Sequence, residues 1–242
     1  PTSADLVTLH NAKNQKVINA ERLPGSTSSN DYTWSFWVYV NNWNWQYGKE
    51  KVLLVRKSSD DVFCPKISLA ENTNNLKVEV GTFNPEGSAS DTKTSKCNVN
   101  NIPLQKWTHI LMTTNTRSID IYLDGKLVRT CLLSSPPKIA ADAPIKLCPE
   151  NGFSGYMSKV RYYSRTLNPR EVYGIYKQGY GSSFGSSLFN TLQFKMSVSK
   201  DNEEIGAIKS NPIIFTYPKE PSGKFSLFQP VIIKKIVPGI AK

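Results

Sequence analysis

Residues 107–128 limit the fold of this chain more than any other stretch, because a strand pattern in them runs directly into a tight turn. The apolar Ile119, Ile121 and Leu123 alternate with two aspartates and a tyrosine, so one face can be buried while the other meets water. Asp-Gly follows at 124–125 and supplies the positive φ angles that a tight hairpin turn needs. The stretch therefore predicts half-buried antiparallel strands joined by a hairpin.

Three segments of the chain resemble one known family. They are W-T-H-I at 107–110, I-Y-L-D-G-K-L-V at 121–128 and F-S-G-Y-M-S-K-V-R-Y-Y at 153–163. These segments are similar to the signature strands of laminin-G-like and pentraxin-like domains, which are members of the concanavalin A-like jelly-roll superfamily. The resemblance covers roughly residues 31–180. It implies a β-sandwich with a single short helix lying on it.

Four sequence segments within this region are most similar to the version of the domain carried by large icosahedral DNA viruses. The segments concerned are N-I-P-L-Q-K-W at 101–107, R-T-C at 129–131, N-G-F-S-G-Y at 151–156 and I-Y-K-Q-G-Y-G at 175–181. This resemblance implies a structural protein of a virus particle.

The predicted fold class is all-β, an antiparallel jelly-roll sandwich with one short helix and an extended C-terminal arm. A chain of 242 residues is long enough for one such domain with a substantial core. We expect a lead-in at 1–30, the jelly roll at 31–181, an additional β-hairpin at 182–210 and the arm at 211–242. Five prolines in the last segment forbid a central strand or a long helix there.

Two local patterns refine this expectation. Residues 32–40 carry aromatic side chains on both faces, which predicts a central strand covered on both sides. Asn168, Pro169 and Glu171 have the types and spacing of a helix start with a capping box, and Gly179 is placed to end that helix.

The loop at 41–48 is the most aromatic connection in the chain and the first candidate binding site. Trp43, Trp45 and Tyr47 could form a stacking platform for a sugar ring, because the flat apolar face of a pyranose suits an aromatic surface. The alternative is that these rings cap the end of the sandwich core or pack on a neighbouring protein.

No cofactor or metal is expected. Some laminin-G and pentraxin domains bind calcium through acidic loops, and Asp60, Asp61 and Asp91 are the candidates here. Their spacing does not match a dedicated calcium loop, so a solvated loop is the favoured interpretation. A zinc site is disfavoured because no two cysteines have the close spacing of a metal knuckle.

Four cysteines permit three disulfide pairings, and the sequence does not choose among Cys64, Cys97, Cys131 and Cys148. At least part of this set is predicted to be disulfide-bonded, as in an oxidised, extracellular or virion-like setting. Four buried thiols are the alternative.

The net charge of +11 favours acidic partners, but the basic residues are dispersed, which disfavours nucleic-acid binding. No apolar run is long enough to span a bilayer. Because the chain begins at Pro1 rather than methionine, we also allow for an upstream segment that contacts an inner viral membrane.

The sequence offers no recognisable catalytic set. The two histidines, His10 and His109, lie in the lead-in and in a strand pattern, away from any serine or cysteine nucleophile motif. The alternating carboxylates of the jelly-roll glucanases are missing, and Glu79 stands alone in its strand. A non-enzyme is predicted.

Two functions are therefore considered. In the first, the chain is a virion structural protein, a minor capsid component whose sandwich and C-terminal arm contact other capsid proteins. The apolar residues expected to bind those neighbours are Ile213, Ile214, Phe215, Phe225, Phe228, Ile232 and Ile233. In the second, the chain is a lectin-type module that binds glycans through its loops.

Overall fold

The computed structural model describes residues 2–25, 30–58, 60–84 and 92–181, together with the backbone of a strand pair at 196–200 and 203–208. Two compact units are present, residues 1–182 and 183–242. The predicted arm at 211–242, including its seven apolar contact residues, lies outside the described residues.

The first unit is built almost entirely of strands. In chain order they are β1 (Ser3–Asn11), β2 (Lys16–Ile18), β3 (Thr33–Asn42), β4 (Lys51–Lys57), β5 (Phe63–Leu69), β6 (Leu76–Phe83), β7 (Thr92–Val99), β8 (Thr108–Asn115), β9 (Ser118–Leu123), β10 (Lys126–Leu132), β11 (Ile145–Leu147) and β12 (Ser154–Tyr163). The described helix α1 spans Pro169–Lys177, and a 3₁₀ turn spans Ala20–Arg22. In the second unit, β13 (Met196–Lys200) pairs antiparallel with β14 (Glu203–Ile208), where the sequence predicts a hairpin.

The twelve strands of the first unit form two six-stranded sheets. Sheet A has the order β1-β12-β3-β8-β9-β10, and sheet B has the order β2-β11-β4-β5-β6-β7. All of their pairings are antiparallel. The chain crosses repeatedly between the sheets, and their inner faces enclose one hydrophobic core. Within the residues that the structure describes, the predicted all-β sandwich with one short helix is confirmed.

Strand β3 is central and is covered on both sides, as its sequence predicts. Trp34, Phe36 and Val38 point into the core between the sheets and are at most 1% exposed. Trp37 lies on the opposite face, where its ring stacks against Tyr176 of α1 at 5.6 Å. Apolar residues on both faces are what a strand covered on both sides requires.

The helix begins as its sequence predicts and covers the outer face of sheet A. The Asn168 side chain accepts a hydrogen bond from the Glu171 amide, and the Glu171 carboxylate accepts one from the Asn168 amide. Val172 packs with Leu111 and Tyr122 in a second, smaller cluster. Tyr122 was expected to face water with its neighbouring aspartates, and that expectation is wrong because the helix buries it.

The hairpin between β9 and β10 has the predicted turn. Asp124 and Gly125 both have positive φ angles, 47° and 76°. The Asp124 carboxylate accepts a hydrogen bond from the His109 amide at 2.9 Å, which joins the turn to β8. A Cβ at Gly125 would lie 3.0–3.1 Å from atoms of Tyr173 and Tyr176, so α1 also requires glycine here.

One disulfide joins the two sheets along one edge of the sandwich. Cys97 of β7, the edge strand of sheet B, is bonded to Cys131 of β10, the edge strand of sheet A. Cys64 and Cys148 are buried free thiols, so the second bridge allowed by the sequence is not formed. They pack in different hydrophobic clusters, and burial raises the pKa of Cys64 to about 11 and of Cys148 to about 12.

Candidate functional site

Three loops meet at one end of the sandwich and enclose a groove of about 490 Å³. They are the connections between β3 and β4, between β5 and β6, and between β7 and β8. We call this feature the asparagine groove, and it is lined by Trp43, Asn72, Thr73, Asn74, Asn75, Asn100, Asn101 and Leu104. The lining thus contains an indole, five carboxamides, a hydroxyl and a leucine, and no charged side chain.

Two of the asparagines hold the groove in shape. The Asn74 side chain donates to the Ile102 carbonyl at 2.8 Å, and the Ile102 amide donates to the Asn74 carbonyl at 2.8 Å. The Asn75 side-chain oxygen accepts from the Asn101 amide at 3.1 Å. The β5–β6 and β7–β8 loops are therefore joined by three hydrogen bonds.

The remaining lining side chains keep their hydrogen-bonding groups available. Asn72, Thr73 and Asn100 are exposed, and within the described part of the chain their side chains bond to no other residue. Each carboxamide offers two donors and one acceptor, and the hydroxyl offers both roles. The groove therefore presents paired donors and acceptors beside an aromatic ring.

Trp43 is fixed from beneath by a buried lysine. The Lys51 ammonium lies 4.3 Å from the centre of the Trp43 ring, and it donates to the Gln46 carbonyl at 3.3 Å. Lys51 is fully buried, and desolvation lowers its pKa. Trp43 also packs against the edge of the core, so it caps the core and lines the groove at once.

The other two predicted aromatic residues of this loop do not join Trp43 in a platform. The Trp45 indole donates to the Asn151 carbonyl at 3.1 Å, and its ring lies 4.1 Å from the Lys13 ammonium. Tyr47 is 61% exposed. The six consecutive turn residues between β3 and β4 aim the three rings at different partners, and no ring contact joins any two of them.

The residues considered for metal binding show no metal-binding arrangement where the structure describes them. Asp61 forms an exposed ion pair with Lys57 at 2.6 Å, Asp60 has contacts of its own, and Asp91 lies outside the described residues. Among the residues that the structure describes, no group of three or more His, Cys, Asp or Glu side chains could hold a metal ion. In the same residues, no helix has the length and apolar character to cross a membrane.

Sequence reasoning did not identify the asparagines of the groove. The letters N-T-N-N at 72–75 indicated only a turn-rich connection, and Asn101 entered only through the family resemblance. The available signal was the repeated density of asparagine in two loops. Sequence alone could not show that both loops reach Trp43.

Comparison with known proteins agrees with this architecture. A family model described as the concanavalin A-like lectin/glucanases superfamily, of laminin-G type, matches residues 11–173. No curated protein matches the chain.

Solved structures with a similar fold include several toxin binding domains. The receptor binding domain of the botulinum neurotoxin C/D mosaic serotype has a TM-score of 0.55 and 12% identity, over 73% of this chain and 45% of that chain. The ligand binding domain of botulinum neurotoxin serotype D, in complex with N-acetylneuraminic acid, has a TM-score of 0.53 and 11% identity, over 74% and 50%. The binding domain of botulinum neurotoxin DC, in complex with rat synaptotagmin II, has a TM-score of 0.52 and 13% identity, over 68% and 40%. The chain spans half or less of each of these structures, and the similarity shows the fold alone.

Proposed function

Because the chain belongs to the concanavalin A-like lectin/glucanases superfamily, we propose that it is a lectin-type binding module that holds a neutral sugar in the asparagine groove. The observation that carries this proposal is the composition of the groove, in which one indole is surrounded by five carboxamides and no charged side chain.

The chemistry of the groove suits a neutral sugar. The C–H face of a pyranose packs on an aromatic ring, while its hydroxyls need donors and acceptors in pairs. Asn72, Asn100 and Thr73 present such pairs beside Trp43. A charged ligand would find no counter-charge in this lining, so we assign the groove to a neutral one.

The solved structures with this fold support a binding role in general. One of them was determined in complex with N-acetylneuraminic acid and another in complex with rat synaptotagmin II. These complexes support binding as the class of function. At 11% and 13% identity, they do not indicate which ligand this chain binds.

We further propose that the module binds without cleaving. Glycoside hydrolysis uses two carboxyl groups that flank the scissile bond. The asparagine groove has none in its lining. Its carboxamides can orient a sugar, but they cannot act as the acid and base of hydrolysis.

A matched pair of asparagine variants tests the proposal. The double variant Asn72→Ala with Asn100→Ala removes two free carboxamides, and we expect it to weaken binding of the best-bound neutral oligosaccharide by about tenfold, since each lost hydrogen bond contributes roughly 0.5–1.5 kcal/mol. Binding would be measured by calorimetry after a glycan-array screen, and reducing ends should stay at background.

The control variant is Asn98→Ala, an exposed asparagine of β7 outside the groove lining. It should bind as the unmodified chain does. Equal affinity of the groove variant and the unmodified chain, or no neutral glycan bound at all, would contradict the proposal.

A second candidate function is a structural role in a virus particle, as a minor capsid protein that contacts other capsid proteins. The observation that favours it is the resemblance of 101–107 and 151–156 to the version carried by large DNA viruses. In the structure, the first of these segments ties a loop to β3, since the Gln105 amide donates to the Val40 carbonyl at 2.8 Å. The test is whether purified particles contain the chain at a fixed stoichiometry.

A further inference from the structure

A second cleft, of about 510 Å³, lies beside the outer face of sheet B and is separate from the asparagine groove. We call it the lysine cleft, because Lys49, Lys57, Lys66 and Lys146 line it. Its other lining side chains include Phe63 and two carboxylates. The lining of this cleft is therefore rich in charged side chains, whereas the lining of the asparagine groove has none.

Strand pairing and a shared aromatic ring bring three of the four lysines together, and Lys49 joins them from the β3–β4 loop. Lys146 of β11 and Lys66 of β5 both lie opposite Val55 of β4, so they occupy one row across the sheet. Two strand spacings separate them, about 10 Å. The ammonium groups of Lys57 and Lys66 lie 5.6 and 5.1 Å from the centre of the Phe63 ring, which brings them to the same part of the cleft.

Four lysines and two carboxylates, Glu50 and Glu150, line the cleft, so positive charge is in excess. Glu150 forms no ion pair with any described residue. Glu50 accepts hydrogen bonds from Lys66 at 2.5 Å and Ser68 at 2.7 Å, and it also pairs with Lys77 at 3.0 Å. Burial raises the pKa of Glu50, but these partners outweigh it and hold the pKa at about 2. The Glu50 carboxylate is therefore shared between the ammonium groups of Lys66 and Lys77.

Two lysines of the cleft remain without a counter-charge. Lys49 and Lys146 are exposed, and no ion pair within the described part of the chain includes either of them. The ion pair between Lys57 and Asp61 is exposed, and such pairs contribute little. The cleft can therefore accept further negative charge from a ligand.

We propose that the lysine cleft binds the anionic groups of an acidic polysaccharide. This inference goes beyond the proposed function, because it concerns a different site and a ligand of opposite charge character. It does not depend on what occupies the asparagine groove.

The lining favours an acidic polysaccharide over two polyanions that carry phosphate, namely nucleic acid and an anionic lipid surface. It contains lysines and no arginine, and arginine is the residue best suited to bidentate phosphate recognition. Bases of single-stranded nucleic acid need a free aromatic face, but two ammonium groups already lie over Phe63. Lipid surfaces are bound by apolar side chains that insert between headgroups, whereas here the apolar residues line a recess. Sulfate or carboxylate groups on a sugar chain fit these limits.

Dextran sulfate tests the proposal, with unmodified dextran as the matched neutral polymer and carboxymethyl-dextran to compare carboxylate with sulfate. The full chain should bind at least one charged polymer and not dextran, and binding should weaken as salt is added. The double variant Lys49→Ala with Lys146→Ala should bind the charged polymer about tenfold more weakly, since charge-assisted hydrogen bonds are among the stronger ones.

The control is the double variant Lys106→Ala with Lys126→Ala, which removes the same charge next to sheet A. It should keep the affinity within about twofold of the unmodified chain, because screened charges at a distance contribute little. An equal loss in both double variants would show that overall charge drives binding, and would overturn the site.

Other outcomes also decide the matter. Tighter binding to phosphatidylserine vesicles or to a single-stranded oligonucleotide, lost in the Lys49 and Lys146 variant, would overturn the assignment to a polysaccharide. The groove variant Asn72→Ala with Asn100→Ala should bind dextran sulfate normally. The two sets of variants therefore distinguish a wrong proposal for the lysine cleft from a wrong proposal for the asparagine groove.

Discussion

At the residue scale, His109 is a buried group whose protonation couples stability to pH. Its Nε2 lies 2.9 Å from the Ser35 hydroxyl, its ring contacts Trp37 and Tyr176, and its Nδ1 has no hydrogen-bond partner. Desolvation lowers its pKa to about 4, with Asp124 raising the pKa and Arg161 lowering it. The folded protein therefore keeps this imidazole neutral.

The stability of the protein should consequently fall as the pH is lowered from about 6.5 to about 4. The unfolded chain binds a proton at His109 in this window and the folded protein does not, so acid favours unfolding. The full effect is about 3 kcal/mol, from the difference between an ordinary histidine and a pKa of about 4. Urea unfolding at pH 7 and pH 5 should show about 2 kcal/mol of this loss, because pH 5 still lies above the pKa of the folded protein.

The comparison variants for this experiment are His109→Gln and His10→Gln. The first should lose most of the dependence between pH 7 and pH 5, whatever its stability at pH 7. The second changes a half-buried histidine of β1 and should keep the dependence. An unchanged slope in the His109 variant would contradict the assignment.

At the element scale, the edge strands β7 and β10 decide how the sandwich is closed. They belong to different sheets and exchange no ladder hydrogen bonds, so the disulfide between Cys97 and Cys131 is their covalent connection. The bridge spans 34 residues of chain, which makes its effect on the unfolded state substantial.

Reduction of this bridge should destabilise the fold by about 4 kcal/mol, from the loop-closure entropy returned to the unfolded chain. Urea unfolding with and without reductant measures this change. The double variant Cys97→Ser with Cys131→Ser should match the reduced protein and should not respond to reductant. Mass spectrometry that finds four free thiols in the unreduced protein would contradict the bridge.

At the scale of the whole molecule, the first unit contains its own core. Every member of the large buried cluster lies between Leu6 and Tyr162, and α1 adds a second cluster on sheet A. The asparagine groove and the lysine cleft are also built from residues of this unit. Binding by the sandwich should therefore not require the C-terminal segment.

Truncation after Ser210 separates binding from assembly. We expect the shortened chain to keep its thermal unfolding temperature and its ligand affinities, because the core and both sites are retained. We also expect it to leave the particle or complex, because the apolar residues of 211–242 are too interrupted by proline to form a core alone. Thermal scans and co-purification measure the two effects.

The two ways in which this truncation could contradict the hypothesis have different meanings. An unfolded product would show that the arm belongs to the core of its own domain. A folded product that still assembles would place the contacts on the sandwich, where the aromatic loop around Trp43 and Trp45 becomes the better candidate.

The sequence by itself determined the local elements of this protein. Alternation in 118–123, the Asp-Gly turn, the two-sided aromatic strand and the capping box of α1 are all short-range signals, and each element formed as predicted. Family resemblance added the sandwich that these elements build. Such signals are readable because they depend on side chains only a few residues apart.

Only the tertiary structure decided which side chains share a site. Asn74 and Ile102 are 28 residues apart, and the lining residues Lys66 and Lys146 come from strands separated by β4. Burial of Tyr122 depended in the same way on a helix that begins at Pro169. The pairing of Cys97 with Cys131, and not with Cys64 or Cys148, followed from which edge strands meet. Contacts of this range are set by the packing of two whole sheets, and no local pattern encodes them.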